Sequence, residues 1–225
     1  MARNNIMNQE SSDAFDQLAD RYDSWFDRHQ AAFQSEIEAY KKVIPTSGEG
    51  LEVGVGSGRF AAALGIKTGV EPSDKLGSLA KSRGIKVFKG VAESLPFPDH
   101  QFDFVLFGTV LCFLEHPLQA LLEAKRVLKP NGTLIVGMLD KNSKLVKGYE
   151  ARKNENPFYC DAHFYMVNEV LILLHEIHFK EKEIYQTIFA PLEDIKQPEP
   201  VKSGHGEGGY VIISAQSHYV NYGEP

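Results

Sequence analysis

The stretch that decides the fold is Leu51-Glu52-Val53-Gly54-Val55-Gly56-Ser57-Gly58-Arg59. A short apolar run, typical of a buried strand, leads into three glycines at alternate positions and then into a helical pattern. Glycine lets the backbone turn tightly and approach a ligand closely. The spacing differs from the dinucleotide pattern G-x-G-x-x-G, because Arg59 stands where its third glycine would be. We therefore expect a strand, a ligand-facing loop and a helix, with a spacing that disfavours a dinucleotide.

Apolar runs and helical segments alternate along the chain after this loop. Further strand-like runs occur at 69–70, 87–88, 104–107 and 133–139, and helices opened by Ser73 and Pro117 separate them. Strands that alternate with helices specify a mostly parallel sheet with right-handed crossovers. Such sheets bind ligands beyond the carboxyl ends of their strands, so the residues directly after each run are the site candidates.

The two ends of the chain follow other patterns. Apolar residues at helical spacing predict two amphipathic helices within residues 15–44. Residues 141–163 are polar and irregular, a helix is predicted over 169–178, and two last strands are predicted at 184–189 and 210–215. We expect one domain over 1–225, with lid helices in 1–47, a cofactor-binding core in 48–140, and a substrate-side insertion and final strands in 141–225.

Glu71 ends the second predicted strand and follows Gly54 by 17 positions. This is close to the spacing of about 20 at which an acid binds ribose hydroxyls in nucleotide sites. A carboxylate has two oxygens, so one side chain pairs with two adjacent hydroxyls. The alternative is a solvent-facing glutamate at a strand end.

Composition excludes several classes of protein. The 225 residues carry a net charge of −6, which disfavours a nucleic-acid partner. Two cysteines cannot form a disulfide framework, and residues 1–13 lack the apolar core of a signal peptide. The longest apolar run is about half a membrane span. We expect a cytoplasmic protein with a small-molecule partner, no membrane or nucleic-acid partner and no metal, and oligomeric state is left open.

The chain resembles the class I S-adenosylmethionine-dependent methyltransferases, in particular the small-molecule group typified by ubiquinone/menaquinone-biosynthesis enzymes. The resemblance runs from about Phe15 to Ser214. Six marks carry it in order: AF with YDSWF (14–15, 22–26), EVGVGSG (52–58), GVE (69–71), GVAESLPFPD (90–99), FD (102–103) and RVLKPNG (126–132). It implies an α/β, Rossmann-like, doubly wound sheet of seven strands in the order 3-2-1-4-5-7-6, with the last strand antiparallel and an N-terminal helical lid.

The resemblance implies S-adenosylmethionine as cofactor. Glu71 would bind the ribose hydroxyls, and Glu52 would hold the loop and reach the amino group. The implied cofactor residues follow the first four strands, with one lid tyrosine: Glu52, Gly54, Val55, Gly56, Gly58, Glu71, Pro72, Ala92, Glu93, Phe107, Gly108, Thr109 and Tyr22.

Two positions depart from the family pattern. Val91 stands where the family usually has the aspartate that accepts from the adenine amino group. Adenine recognition would then depend on backbone groups and Glu93. Asn131 stands at a usual glycine, and asparagine tolerates the left-handed backbone that glycine adopts there.

The substrate-side candidates each have a structural alternative. Trp25 and Phe26 form an aromatic lid with Tyr22 or simply pack an amphipathic helix. His116 is a base or a helix cap. His205 and Glu207, in a glycine-rich loop between the last two strands, present a base and an anion or belong to a surface hairpin.

Three further motifs are set aside. The sequence Asn156-Pro157-Phe158-Tyr159 is similar to a base-binding motif but follows the wrong strand. His175 and His178 lack the i, i+4 spacing of a zinc helix, and Cys112 lies in an apolar run.

No catalytic residue is assigned, because methyl transfer from a sulfonium depends mainly on positioning and its leaving group needs no proton. The predicted activity is methyl transfer to an amine, hydroxyl or activated carbon of a small molecule. The alternatives are a non-catalytic S-adenosylmethionine-binding regulator and an NAD-type oxidoreductase.

Overall fold

One sheet of eight strands organises the protein in a computed structural model, which describes residues 14–217. In chain order the strands are β1 (Gly50–Val53), β2 (Thr68–Glu71), β3 (Lys86–Lys89), β4 (Phe102–Gly108), β5 (Leu128–Leu139), β6 (Phe179–Thr187), β7 (Lys202–Ser203) and β8 (Tyr210–Ser217). Their order across the sheet is β3-β2-β1-β4-β5-β8-β6-β7. β1 to β5 are parallel, and β8 runs antiparallel to both β5 and β6.

The predicted α/β class and strand order are confirmed for the seven longer strands. The sheet also has β7, an edge strand that pairs antiparallel with β6 through Tyr185↔Ser203 and Gln186↔Lys202. Two exposed residues are too few to produce a hydrophobic period, so the sequence pattern does not reveal this strand.

Seven α-helices connect or cover the strands in the described part of the chain, and residues 14–17 form a further helical turn. They are α1 (Ala19–Arg28), α2 (Gln30–Tyr40), α3 (Arg59–Leu64), α4 (Asp74–Ser82), α5 (Pro117–Val127), α6 (Lys144–Ala151) and α7 (Val167–Glu176). The longest has 11 residues. Within residues 14–217, no helix has the length and apolar character to cross a bilayer.

The central strands are apolar on both faces, because helices cover both sides of the sheet. Val105 and Phe107 of β4 belong to a buried cluster with residues of α5 and α7. Phe104 and Leu106 of the same strand belong to the opposite cluster, which includes residues of α2 and α3. The alternation follows from the two-residue period of a strand.

The predicted lid segment divides into two parts with different roles. α2 is a core layer, since Ile37, Ala39 and Tyr40 are fully or almost fully buried. α1 lies over the glycine loop, where a Cβ atom on Gly56 would be 3.5 Å from the Tyr22 ring. Residues 1–13 of the predicted lid lie outside the described residues.

Asn131 takes the left-handed backbone expected for it, with φ 64°. His178, which follows α7, also has a positive φ of 61°. Glycine normally occupies such positions at little cost, and asparagine is the next most tolerant residue. Asn131 therefore keeps the chain path that glycine would take at this position.

Candidate functional site

The glycine loop between β1 and α3 has a backbone that other residues would strain. Gly54, Gly56 and Gly58 have φ of 66°, 54° and 80°, all in the left-handed region. A Cβ atom on Gly54 would lie 2.5 Å from Val110 Cγ2, and one on Gly58 would lie 2.9 Å from Ala80. The alternate glycines thus serve both the turn and the close approach of neighbouring elements.

The Glu71 carboxylate at the end of β2 joins this loop to the next one. Its Oε2 accepts from the Gly56 N–H at 2.8 Å, and its Oε1 accepts from the Ser73 N–H at 2.9 Å. Burial raises the pKa of Glu71 to about 7, and the two backbone N–H groups oppose that shift. Each oxygen keeps acceptor capacity for a further donor.

A cavity of about 440 Å³ opens beside Glu71, at the carboxyl ends of β1, β2 and β4. It contains Val91, the residue in place of the usual aspartate, which is 47% exposed. The predicted cofactor residues that line it are Tyr22, Gly54, Gly56, Glu71, Pro72, Ala92, Glu93, Gly108 and Thr109.

The other predicted cofactor residues lie behind the wall of this cavity. Val55, Phe107 and Glu52 are buried in the strand layer, and Gly58 packs against α4. Burial raises the pKa of Glu52 well above its usual value, and the Ala61 backbone opposes this. Among residues 14–217, Glu52 Oε2 has no hydrogen-bond partner. Glu52 therefore brings an unsatisfied acceptor beneath the loop.

A second cavity, of about 170 Å³, adjoins the first. The two share Phe15, Tyr22, Thr109 and Phe113, so these four side chains form the partition between them. Of the predicted substrate-side residues, Trp25 and Phe26 line it. Its further lining residues are Arg21, Arg28, Glu36, Phe60, Leu139, Leu145, Tyr149, Asn156, Phe158, Tyr159, Leu192 and Tyr210.

The aromatic side chains that line the second cavity contact one another, mostly edge to face. The Tyr22 ring lies 5.4 Å from Phe15, 5.6 Å from Phe26 and 5.8 Å from Phe158, measured between centroids. The Phe113 ring stacks on Tyr159 at 5.8 Å. The segment 156–159, set aside as a base-binding motif, therefore contributes its rings to this second cavity.

Thr109 is a strained residue on the partition. Its φ of 61° is unusual for a β-branched side chain, and such outliers persist where the surroundings fix them. The Thr109 N–H donates to the Gly137 carbonyl at 3.0 Å, and its hydroxyl lies 2.7 Å from the Tyr210 hydroxyl. The Tyr210 hydroxyl in turn lies 2.7 Å from the Tyr40 hydroxyl. This chain of hydroxyls anchors the partition to β8 and α2.

Glu36 is the site residue that the sequence analysis missed. It projects from α2 into the second cavity and is 6% exposed. Its position is three residues after Phe33 and four before Tyr40, so helix geometry places it on the buried apolar stripe. A charged residue on an apolar stripe is unusual, and this feature of the sequence could have identified Glu36 as a site residue.

Three predicted substrate-side residues line neither of these two cavities. His116 occupies the N-cap position of α5 without a side-chain cap bond, and its backbone N–H approaches Glu93 Oε1 at 3.5 Å. His205 is exposed, and Glu207 forms a 2.6 Å ion pair with Lys202. The loop that carries them folds back on β6 through the Gln186 side chain, which accepts from the Glu207 and Gly208 N–H groups.

Ion pairs fasten α1 to the glycine-loop side of the sheet. Arg59, directly after the loop, binds Asp23 at 2.8 Å and Asp27 at 2.8 Å. Arg83 also binds Asp23 at 2.8 Å and donates to the Ser57 carbonyl at 2.7 Å. These guanidinium groups outweigh burial and hold the pKa of Asp23 far below its usual value. Tyr22 and Trp25 are thereby fixed over the two cavities.

Comparison with known proteins agrees with this arrangement. A family model described as a methyltransferase domain matches residues 51–136. A crystal structure from Thermotoga maritima, described as an S-adenosylmethionine-dependent methyltransferase and possible histamine N-methyltransferase, is 42% identical. It covers 91% of this chain and 99% of that chain, with a TM-score of 0.89.

Two sequence relatives extend the comparison. An uncharacterized protein of Methanocaldococcus jannaschii is 48% identical over 202 residues, which cover 90% of this chain and 98% of the relative. A demethylmenaquinone methyltransferase of Staphylococcus aureus is 24% identical over 234 residues, covering 96% and 91%. The chain is therefore a member of the class I S-adenosylmethionine-dependent methyltransferases, and its cofactor is S-adenosylmethionine.

Proposed function

We propose that this enzyme methylates a small molecule held in the second cavity. The observation that carries the proposal is the partition shared by the two cavities, because a methyl group moves directly only between adjacent binding sites. The reaction needs the acceptor and the methyl carbon about 3–3.5 Å apart, and positioning alone contributes roughly 7–11 kcal/mol to such reactions. Thr109 and Tyr22, which line both cavities, are the positioning residues in this proposal.

In the first cavity, the Glu71 carboxylate would hold S-adenosylmethionine by accepting hydrogen bonds from the ribose hydroxyls of that cofactor. The residues present fit this group: Glu71 is already aligned by two backbone N–H groups, and the Gly56 backbone faces the cavity without a side chain. Glu52, with its unsatisfied Oε2, would serve the amino group through a bridging water. When bound, S-adenosylmethionine supplies an electrophilic methyl group on a sulfonium.

Enclosure and charge support a small acceptor over a macromolecule. The second cavity holds about 170 Å³ behind the rings of α1, a volume that suits a small molecule, and its lining is mainly aromatic and apolar. The net charge of −6 disfavours a nucleic-acid partner. The Thermotoga relative, described as a possible histamine N-methyltransferase, brings amines among the candidate acceptors.

A calorimetric titration with S-adenosylhomocysteine, the reaction product, tests the cofactor site. Glu71→Ala should lose about 3 kcal/mol, or roughly a hundredfold in affinity, because two hydrogen bonds to a carboxylate disappear. Adding Gly56→Val should abolish binding. Asp74→Ala, which removes an exposed carboxylate in the neighbouring helix, is the matched control and should bind normally.

Turnover on a panel of amines, phenols, quinols and carboxylates tests the second half of the proposal. Release of S-adenosylhomocysteine with any of these acceptors supports it. Tight cofactor binding without turnover on any member would favour the regulatory alternative. Binding of NAD without binding of S-adenosylhomocysteine would contradict both.

A further inference from the structure

The second cavity contains a buried acid that has no partner of its own. The Glu36 side chain is 6% exposed, and within residues 14–217 burial alone, with no hydrogen bond or charge partner, acts on its carboxylate. Unpaired carboxylates are rarely buried, because the desolvation of the charge costs several kcal/mol. The described chain supplies no partner for the Glu36 carboxylate, so a partner would have to come from a bound ligand.

The cations of the cavity lie at its rim. Arg21 and Arg28 line the second cavity, but both residues are exposed, and Arg28 donates to the Ser24 hydroxyl at 3.0 Å. Burial raises the pKa of Glu36 to about 8, and no described cation opposes the shift. The inner end of the cavity is therefore electronegative when Glu36 is ionised.

The walls around Glu36 suit a cation as well. Tyr149, Tyr159 and Tyr210 present aromatic rings to the same cavity, with Trp25 on the α1 side. The faces of such rings attract ammonium groups, most strongly where water is excluded. Burial raises the pKa of each of these three tyrosines and of the nearby Cys112 thiol, so all four stay neutral at physiological pH.

We infer that the methyl acceptor is an amine, whose ammonium group pairs with Glu36 inside the aromatic cavity. This inference rests on the proposed function and names its substrate class. An alcohol or phenol would leave the buried carboxylate without a cation. A carboxylic acid would place two anions together.

Glu36 also has a chemical role in this assignment. The ammonium nitrogen gives one proton to a Glu36 carboxylate oxygen and so gains a lone pair. That nitrogen then forms a bond to the methyl carbon as the sulfur–carbon bond breaks, and the bonding pair stays on sulfur as a neutral thioether. The product leaves as a methylated ammonium ion, and Glu36 returns its proton to solvent.

Binding measurements test the inference without turnover. Phenethylamine, histamine and phenyltrimethylammonium would be titrated by calorimetry into protein saturated with S-adenosylhomocysteine, with 2-phenylethanol and 3-phenylpropanoate as uncharged and anionic counterparts. We expect at least one amine to bind, and Glu36→Gln to weaken it at least tenfold. Glu38→Gln, on the exposed face of the same helix, is the matched control and should bind as the wild type does.

Two readouts separate a charge role from a structural one. Glu36→Asp, which keeps the carboxylate, should recover part of the amine affinity. Phenyltrimethylammonium carries its charge at every pH, so its affinity for the wild type should rise as pH increases through about 8 and Glu36 ionises. This rise would decide the matter even if Glu36→Gln failed to fold. Arg21 and Arg28 also line this cavity, at its rim. Burial raises the pKa of the other groups facing Glu36, so they stay neutral in this pH range: Tyr22, Tyr149, Tyr159, Tyr210 and Cys112.

Several results would overturn the inference. These are failure of all three cations to bind, equal binding of amine and alcohol, or unchanged amine affinity in Glu36→Gln. In each case, retained binding of S-adenosylhomocysteine and turnover on a phenol or carboxylate would leave the proposed function intact. Failure of the wild-type protein to bind S-adenosylhomocysteine would instead count against the proposed function.

Discussion

Replacement of Glu36 by glutamine should stabilise the free enzyme, and increasingly so as pH rises. The folded protein holds the Glu36 proton up to a pKa of about 8, whereas an exposed glutamate loses it near 4.5. The folded state therefore binds more protons than the unfolded state between these values, and the unfolding free energy of the wild type falls as pH rises. Glutamine carries no such proton and escapes this loss.

The size of the effect follows from the two pKa values. Each unit of separation corresponds to about 1.4 kcal/mol, so a shift from 4.5 to about 8 gives a limit of roughly 5 kcal/mol. Most of it, roughly 4 kcal/mol, falls between about pH 5 and pH 9. The gap in unfolding free energy between Glu36→Gln and the wild type should widen by that amount over this range.

Urea unfolding followed by circular dichroism at several pH values measures the gap, because the linear extrapolation gives each unfolding free energy. Titration of all other groups cancels in the difference between the two proteins. Glu38→Gln is the control: Lys41 lowers the pKa of Glu38, so that carboxylate is ionised in both states throughout this range and its curve should run parallel to the wild type. If the Glu36→Gln curve also ran parallel within about 1 kcal/mol, Glu36 would be solvated and our account of the cavity would be refuted.

Three further predictions concern the first cavity, the glycine loop beside it and the attachment of α1. Burial raises the pKa of Glu71 to about 7, and hydroxyl donors bind its ionised form better than its protonated form. Calorimetry should therefore show that the affinity for S-adenosylhomocysteine falls as pH drops below about 7. Glu71→Gln should flatten this pH dependence. Gly54→Ala should abolish that binding, because its methyl group would lie 2.5 Å from Val110 at a positive φ; normal binding would show that the loop yields. Asp23→Asn should lower the unfolding free energy by roughly 2 kcal/mol in urea at neutral pH, because Arg59 would lose the carboxylate that fastens α1. The same variant should bind S-adenosylhomocysteine more weakly. An unchanged affinity for S-adenosylhomocysteine would show that α1 stays in place without this ion pair.

The sequence predicts those parts of the fold that short segments determine. The run into Gly54, the acid at Glu71 and the alternation of strands and helices each depend on neighbours within about 20 positions. The helical spacing of apolar residues likewise predicted that α2 is amphipathic. Whether it covers a ligand or packs on the sheet depends on which distant surface receives its apolar stripe. In the structure Tyr40 meets Tyr210 of β8 at 2.7 Å between hydroxyls, across most of the chain.

The second cavity was harder to predict because distant elements assemble it. Trp25, Glu36, Phe158 and Tyr210 come from α1, α2, the loop after α6 and β8. A pattern read in one segment gives no sign that these four meet. The glycine-rich loop around His205 drew attention because its composition is locally distinctive, yet it folds against β6 and away from both cavities.

The raised pKa of Glu36 is a second reason why we propose an amine, and not an alcohol, as the acceptor in this cavity. An alkylammonium group has a pKa near 10.4, and burial raises the pKa of Glu36 in the free enzyme to about 8, so the two groups start closer in proton affinity than an amine and a glutamate of ordinary pKa. An alcohol holds its proton far more tightly, and no carboxylate in this range removes it. Burial of Glu36 thus costs the free enzyme stability and lowers the cost of exposing the amine lone pair. That exchange is useful only when an ammonium group enters the cavity.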